Sequence, residues 1–256
     1  MQSSNPAFNS AAFGRPGGYA DAYGQSASTT MTVQGTGLKT FGLLAILLTT
    51  AAWSWGQVSN PGMIRGLMMV GGIGGLIAAI ATIARPAWSP FTAPLYAALE
   101  GVALGALSSL IDHGLGRPAY HGLPQQAVAL TCGTLFVMLV IYTTGLIKVT
   151  PRLTAGIVAA TGAIALLYLV SMVLSLFHVA MPIINSATPL GIGFSVFVVG
   201  LAAFNLLLDF DFIEKGARAG LPKYMEWYGA FGLMVTLVWL YLEILRLLRK
   251  LQDRRD

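Results

Sequence analysis

The chain has 256 residues, of which 55% are hydrophobic and 10% charged, and its mean hydropathy is +0.71. A soluble domain carries about 25% charged residues, so this composition excludes an ordinary water-facing surface. The formal net charge of +5 therefore reads as a membrane-topology signal before it reads as nucleic-acid binding, and the single cysteine, Cys132, excludes an intramolecular disulfide or a cysteine metal cluster.

Residues 1–36 are rich in Gly, Ser, Ala, Asn and Gln, with scattered aromatics (Phe8, Phe13, Tyr19, Tyr23). Such a segment buries too little apolar surface to offset its ordering entropy, so a disordered tail is expected. No apolar stretch follows a basic start before Phe41, which argues against a cleavable signal. Residues 37–256 then form one domain of apolar runs, each near the roughly 20 residues that a bilayer crossing needs. The runs are Thr40–Val58, Ile64–Ala84, Phe91–Ile111, Gln125–Ile147, Ala155–Phe177, Leu190–Leu208 and Trp227–Leu248. The fold class expected is all-α membrane: a seven-transmembrane-helix bundle behind a disordered N-terminal tail. Gly71 with Gly75, and Gly101 with Gly105, have the small-xxx-small spacing that lets two backbones approach.

Lys and Arg set the expected orientation. The tail and the loops on its side hold Arg15, Lys39, Arg85, Lys148, Arg152, Lys215, Arg218 and Lys223, whereas the opposite loops hold Arg65 and Arg117. That bias places the N-terminus in the cytoplasm. The C-terminal cluster Arg246, Arg249, Lys250, Arg254 and Arg255 opposes it, because a seventh full crossing puts these residues outside.

Ionisable side chains inside spans are functional candidates, since each costs about 2.5–3.5 kcal/mol at a helix centre on insertion scales. Glu100 lies about ten residues into the third run, Asp209 and Asp211 close the sixth, and Glu243 lies well inside the last. Asn205 and Asp209 are four apart and share a helix face. Asp211 lies about 200° around from Asp209 and belongs with Glu214 and Lys215 at the inner interface. Glu243 and Arg246, three apart, are placed to pair with each other.

Enzymatic readings fare worse. The paired Tyr-Asp and Gly-x-Gly-Asp pattern of intramembrane aspartyl proteases is missing. Ser108, Ser109 and His113 are the nearest approach to a serine protease set, without an oxyanion motif. His113, His121 and His178 lack metal-ligand spacing, and no nucleotide motif is present. No enzyme activity and no cofactor is expected, and the identity of any bound metal is left open.

The order of an Arg-terminated second run, LYAALEG in the third, an acid closing the sixth and LYLEILRLL in the last resembles the transmembrane Bax inhibitor motif family, in its bacterial YccA-like branch. The resemblance spans about Thr40 to Leu251 and is most specific in GIGFSVFVVGLAAFNLLLDFDFIEKG. It implies a seven-helix bundle with a central last helix, in a bacterial inner membrane, acting as a pH-sensitive calcium leak. Carried over by position, the two paired acids fall on Asp209 and Glu243 and their basic partner on Arg85. Two departures stand out: the second acid is Glu, and the stretch from Asp209 to Glu243 is longer than the family pattern. A continuous helix at 1.5 Å per residue then lifts Glu243 above Asp209. The expectation is a switch in which Asp209 and Glu243 share a proton and Arg85 biases the charged state, with Glu100 and Asp211 as further pathway acids. Calcium ions, protons and the lipid bilayer are the partners this implies, and no nucleic acid. The rival expectation is a non-transporting regulator of a membrane protease or stress-response partner.

Overall fold

The computed structural model describes residues 29–57, 61–114, 120–177 and 181–255. Of the expected features, residues 1–28, Arg117 and His178 lie outside the described residues. Seven helices are long and apolar enough to cross a membrane. In chain order they are α1 (Val33–Trp55), α2 (Pro61–Ala84), α3 (Ser89–Ser109), α4 (Leu123–Thr143), α5 (Pro151–Leu176), α6 (Pro189–Arg218) and α7 (Met225–Asp253). No strand occurs among the described residues, and a π turn, Leu110–Gly114, extends α3. The protein is a multi-pass membrane protein, and its natural surroundings are a lipid bilayer. The outward faces agree: Met69, Val70, Ile73, Ile77, Ile80 and Ile83 on α2 are all exposed, which water would penalise and acyl chains accept.

α7 is the central helix, packed against α1, α3, α4 and α6, while α2 rests on α3 and α5 on α6. α6 and α7 form an antiparallel hairpin folded about Leu221, just after Gly220 at φ +65. Residues equally distant from that turn therefore face one another. A Cβ on Gly229 would touch Ile213, one on Gly232 would come within 3.9 Å of the Asp209 carboxyl, and Lys250 Nζ donates to Gly191 O at 2.9 Å.

The glycine pairs bring backbones together as expected. A Cβ on Gly71 would lie 2.6 Å from Leu99 O, and one on Gly105 would lie 2.1 Å from Ala51 O. Hydrogen there allows α2 and α1 to lie directly against α3, where attraction between helices in lipid comes from close packing.

Helix ends differ from the apolar runs for physical reasons. α1 begins seven residues before Thr40 because Thr32 caps it, its Oγ1 accepting from Gly35 N. Within the segment expected as tail, Met31 is buried, and its N–H donates to Leu221 O at 2.7 Å. α6 runs ten residues past Leu208, and its charged end is stitched by Lys215 to Asp211 and Arg218 to Glu214, each one turn apart.

The last helix is a complete crossing. Its first residues meet Thr32 and Lys39, and at its far end Asp253 accepts from Tyr120 of the α3–α4 connection. The C-terminus thus lies at the end of the bundle opposite the start of α1. Part of the basic cluster that opposes the charge bias is engaged there: Lys250 is buried and also donates to Ser195 Oγ at 2.8 Å, and Arg246 is paired with Glu243.

Candidate functional site: carboxyls in the bundle

Asp209 sits on α6 against α7, with its carboxyl facing Gly232 and hydrogen-bonded by Thr236. Its Oδ2 is buried and has no hydrogen-bond partner. One turn earlier, Asn205 Nδ2 donates to Thr161 Oγ1 of α5 and to Leu201 O, both at 2.9 Å. The polar stripe expected from the spacing of Asn205 and Asp209 is present, and it runs between α5 and α7.

Glu243 is engaged elsewhere. Tyr168 of α5 donates its hydroxyl to Glu243 Oε1 at 2.9 Å. Arg246 Nη1 donates to both carboxyl oxygens, at 2.7 and 2.8 Å, and to Tyr168 Oη at 2.6 Å. The guanidinium also lies over the Tyr168 ring, 4.8 Å from its centroid. No hydrogen bond joins Glu243 to Asp209. The hairpin explains why: Asp209 is opposite Gly232 and Thr236, and Glu243 is seven residues beyond Thr236, about 10 Å further along α7. The shared-proton pair expected from the family pattern is not assembled here, and Glu243 instead forms a clamp between α7 and α5.

Arg85 is exposed at the end of α2, stacked over Trp88 at 4.7 Å from the ring centroid. The adjoining start of α3 is fastened to the start of α7 by Ser89 Oγ donating to Tyr224 O at 2.9 Å. Arg85 and Glu243 therefore lie toward opposite ends of the bundle. Asp211 pairs with Lys215 at 2.6 Å on the outer part of α6, as its angular position requires. Glu100 places its carboxyl against Gly75 of α2, where a Cβ would lie 2.7 Å from Oε2.

Sequence reasoning missed a cluster at the N-terminal end of the bundle. Glu226, fully buried in the first turn of α7, accepts from Thr32 N at 2.9 Å and Thr32 Oγ1 at 2.8 Å. It also pairs with Lys39 and, at 2.8 Å, with Lys223. Gly35 permits this approach, since a Cβ there would lie 2.3 Å from Glu226 Oε1. The available hint was an acid at a helix start three residues after Lys223; no linear pattern linked it to Lys39 or Thr32. Ser108, weighed as a nucleophile, shares a 2.6 Å hydrogen bond with Tyr241 Oη, and His113 turns instead to Asp112.

Helices α1, α3, α4 and α7 leave between them an apolar cleft of about 490 Å³, lined by residues such as Leu47, Trp55, Leu104, Val128, Met234 and Tyr241.

A family model described as Bax inhibitor 1 like matches residues 5–253. The chain belongs to that family. The match reaches past Thr40 into the N-terminal segment, further than the motifs alone indicated. Comparison with curated proteins and with solved structures gives no match.

Proposed function

We propose that this Bax inhibitor 1 like protein is a cation leak, with calcium as its ion, in which a proton and a cation compete for the Asp209 carboxyl. The observation that carries the reading is the buried, unpartnered Oδ2 of Asp209. A carboxylate in a bundle interior is costly unless neutralised. Its own-helix neighbour Asn205 and the facing Thr236 carry no charge, and no cationic side chain among the described residues bonds to it. Neutralisation falls to a proton or to a hard cation, for which carboxylate oxygen is the preferred ligand. Proton occupancy closes the pathway and cation occupancy opens it, so flux rises as pH rises. Glu100 is a second acid of the pathway, and Arg85 the basic group at its mouth. Glu243 acts through the clamp to α5, and not as a proton-sharing partner of Asp209. No catalysis enters this reading. The charge bias of the loops supports a cytoplasmic N-terminus, and the motif order supports the YccA-like branch and a bacterial inner membrane.

The test is calcium flux into liposomes holding the purified full chain, stepped in pH across neutrality. Asp209→Asn flattens the pH dependence. Asp211→Asn preserves it, because that carboxyl pairs with Lys215 on another face. A wild-type protein that passes no cation, with its fold intact, overturns the leak and leaves the non-transporting regulator of a membrane protease. Loss of the pH response in Asp211→Asn alone overturns the choice of acid.

A further inference from the structure

At the end of the bundle away from the N-terminal segment, three side chains separated in sequence by a loop converge. The π turn that ends α3 carries Asp112 and His113, and His121 precedes the start of α4. His113 Nδ1 lies 3.1 Å from Asp112 Oδ2, and His121 Nδ1 lies 3.7 Å from the same oxygen. One ligand atom from each of the three residues falls within 4.8 Å of the others. Ligands about 2.0–2.2 Å from a tetrahedral zinc are separated by about 3.3–3.6 Å, so both measured separations lie close to that range.

The carboxylate is the fixed member of the set. Asp112 is buried, and its Oδ1 accepts from Gly122 N at 2.7 Å, leaving Oδ2 for the histidines. That amide is the kind of outer contact that orients a metal-binding carboxylate. Gly122 adopts φ +82, a conformation that favours glycine and turns its N–H back toward Asp112. Tyr120, two residues earlier, is buried and held by Asp253 of α7, which fixes the approach of the connection. The two imidazoles meet edge to face at 5.4 Å, with Trp55 of α1 edge-on to His113 at 5.9 Å. Both histidines remain largely exposed, with side-chain accessibilities of 43% and 55%, so an ion and its water have access.

We propose that Asp112, His113 and His121 form a binding site for a borderline divalent transition-metal ion, zinc foremost, which fastens the end of α3 to the start of α4. Two imidazoles and one carboxylate suit zinc with water in the fourth position. They do not suit calcium, which takes six to eight oxygen ligands, so this site is separate from any calcium pathway through Asp209. The linear spacing hid it, because one ligand pair is adjacent in sequence and the third residue lies across the loop.

The experiment titrates Zn²⁺ into the full-length protein in detergent, purified through a tag that contains no histidine, by calorimetry and by thermal unfolding. Wild type binds one zinc per chain, and its unfolding midpoint rises as zinc is added, since an ion that binds only the folded state stabilises it. His113→Ala with His121→Ala abolishes both effects while leaving the metal-free protein folded, because both side chains are largely exposed. His178→Ala behaves as wild type. Co²⁺ in place of Zn²⁺ gives a spectrum of nitrogen and oxygen ligation, without a thiolate charge-transfer band. Absence of stoichiometric zinc in wild type overturns the site, as does undiminished binding in the double variant, loss of binding in His178→Ala, or a thiolate band from Cys132. None of these readouts depends on flux, so failure here is distinct from failure of the cation leak.

Discussion

A methyl group placed on Gly105 forces α1 away from α3. Its carbon would lie 2.1 Å from Ala51 O, 2.7 Å from Ala51 Cα and 2.8 Å from Ala51 C. All three are backbone atoms, so no side-chain rotation relieves the clash, and the helices must separate by roughly 1 Å before contact becomes ordinary. Overpacking of this kind costs about 1–3 kcal/mol, and the rigid obstacle places Gly105→Ala in the upper half of that range. Separation also loosens the neighbouring bond from Ser54 Oγ to Val102 O, now 2.7 Å. For a chain of this size the expected fall in the unfolding midpoint is about 4–12 °C. The assay is thermal unfolding of the detergent-purified protein at a fixed scan rate, beside Gly133→Ala, where a Cβ meets nothing within 4 Å. Gly133→Ala should hold its midpoint or gain slightly, as alanine is the better helix former. Equal midpoints for the two variants would refute the close-packing account of this interface.

Glu226→Gln removes the charge that two lysines share and costs about 2–4 kcal/mol; limited proteolysis should then cut faster within residues 29–36, and an unchanged rate would show that the latch is not what holds them. Tyr168→Phe deletes the hydroxyl between Glu243 and Arg246 and lowers stability by about 0.5–1.5 kcal/mol, the usual range for an interhelical hydrogen bond in a membrane. A double change with Glu243→Gln should be less than additive, and full additivity would separate the two groups. Glu100→Gln leaves folding intact, since the amide fits the space beside Gly75, and alters calcium flux in liposomes; unaltered flux removes Glu100 from the pathway.

The crossings were legible because bilayer thickness imposes a run length that hydropathy records directly. Their ends were not, because capping and ion pairing set them. VQGT, residues 33–36, reads as tail by composition, yet Thr32 caps it and Glu226 fastens it, and the partners in that latch lie up to 194 residues apart. Within α6 the angular argument worked: Asp211 pairs with Lys215, and Asp209 faces α7. The failed pairing of Asp209 with Glu243 was also readable in principle, since Gly220 and Pro222 mark the fold of the hairpin and set its register. The histidine cluster was not readable, because Asp112 and His121 are nine residues apart across a helix end, a separation that carries no metal-ligand pattern.

α5 buries only Ile157 and Ile164 among the residues assigned to its buried face; among the long helices it packs chiefly on α6 and meets α7 through Tyr168. An apolar helix gains little by exchanging lipid for protein, so the bonds to Asn205, Glu243 and Arg246 weigh heavily in holding it. All three partners come later in the chain. Glu243 follows Tyr168 by 75 residues, which at typical synthesis rates of about 5–20 residues per second is a delay of about 4–15 s. During biogenesis α5 therefore enters the bilayer before anything exists to dock it, and Tyr168 waits in lipid with its hydroxyl unpaired. The order of synthesis thus makes the emergence of α7 the event that completes the docking of α5.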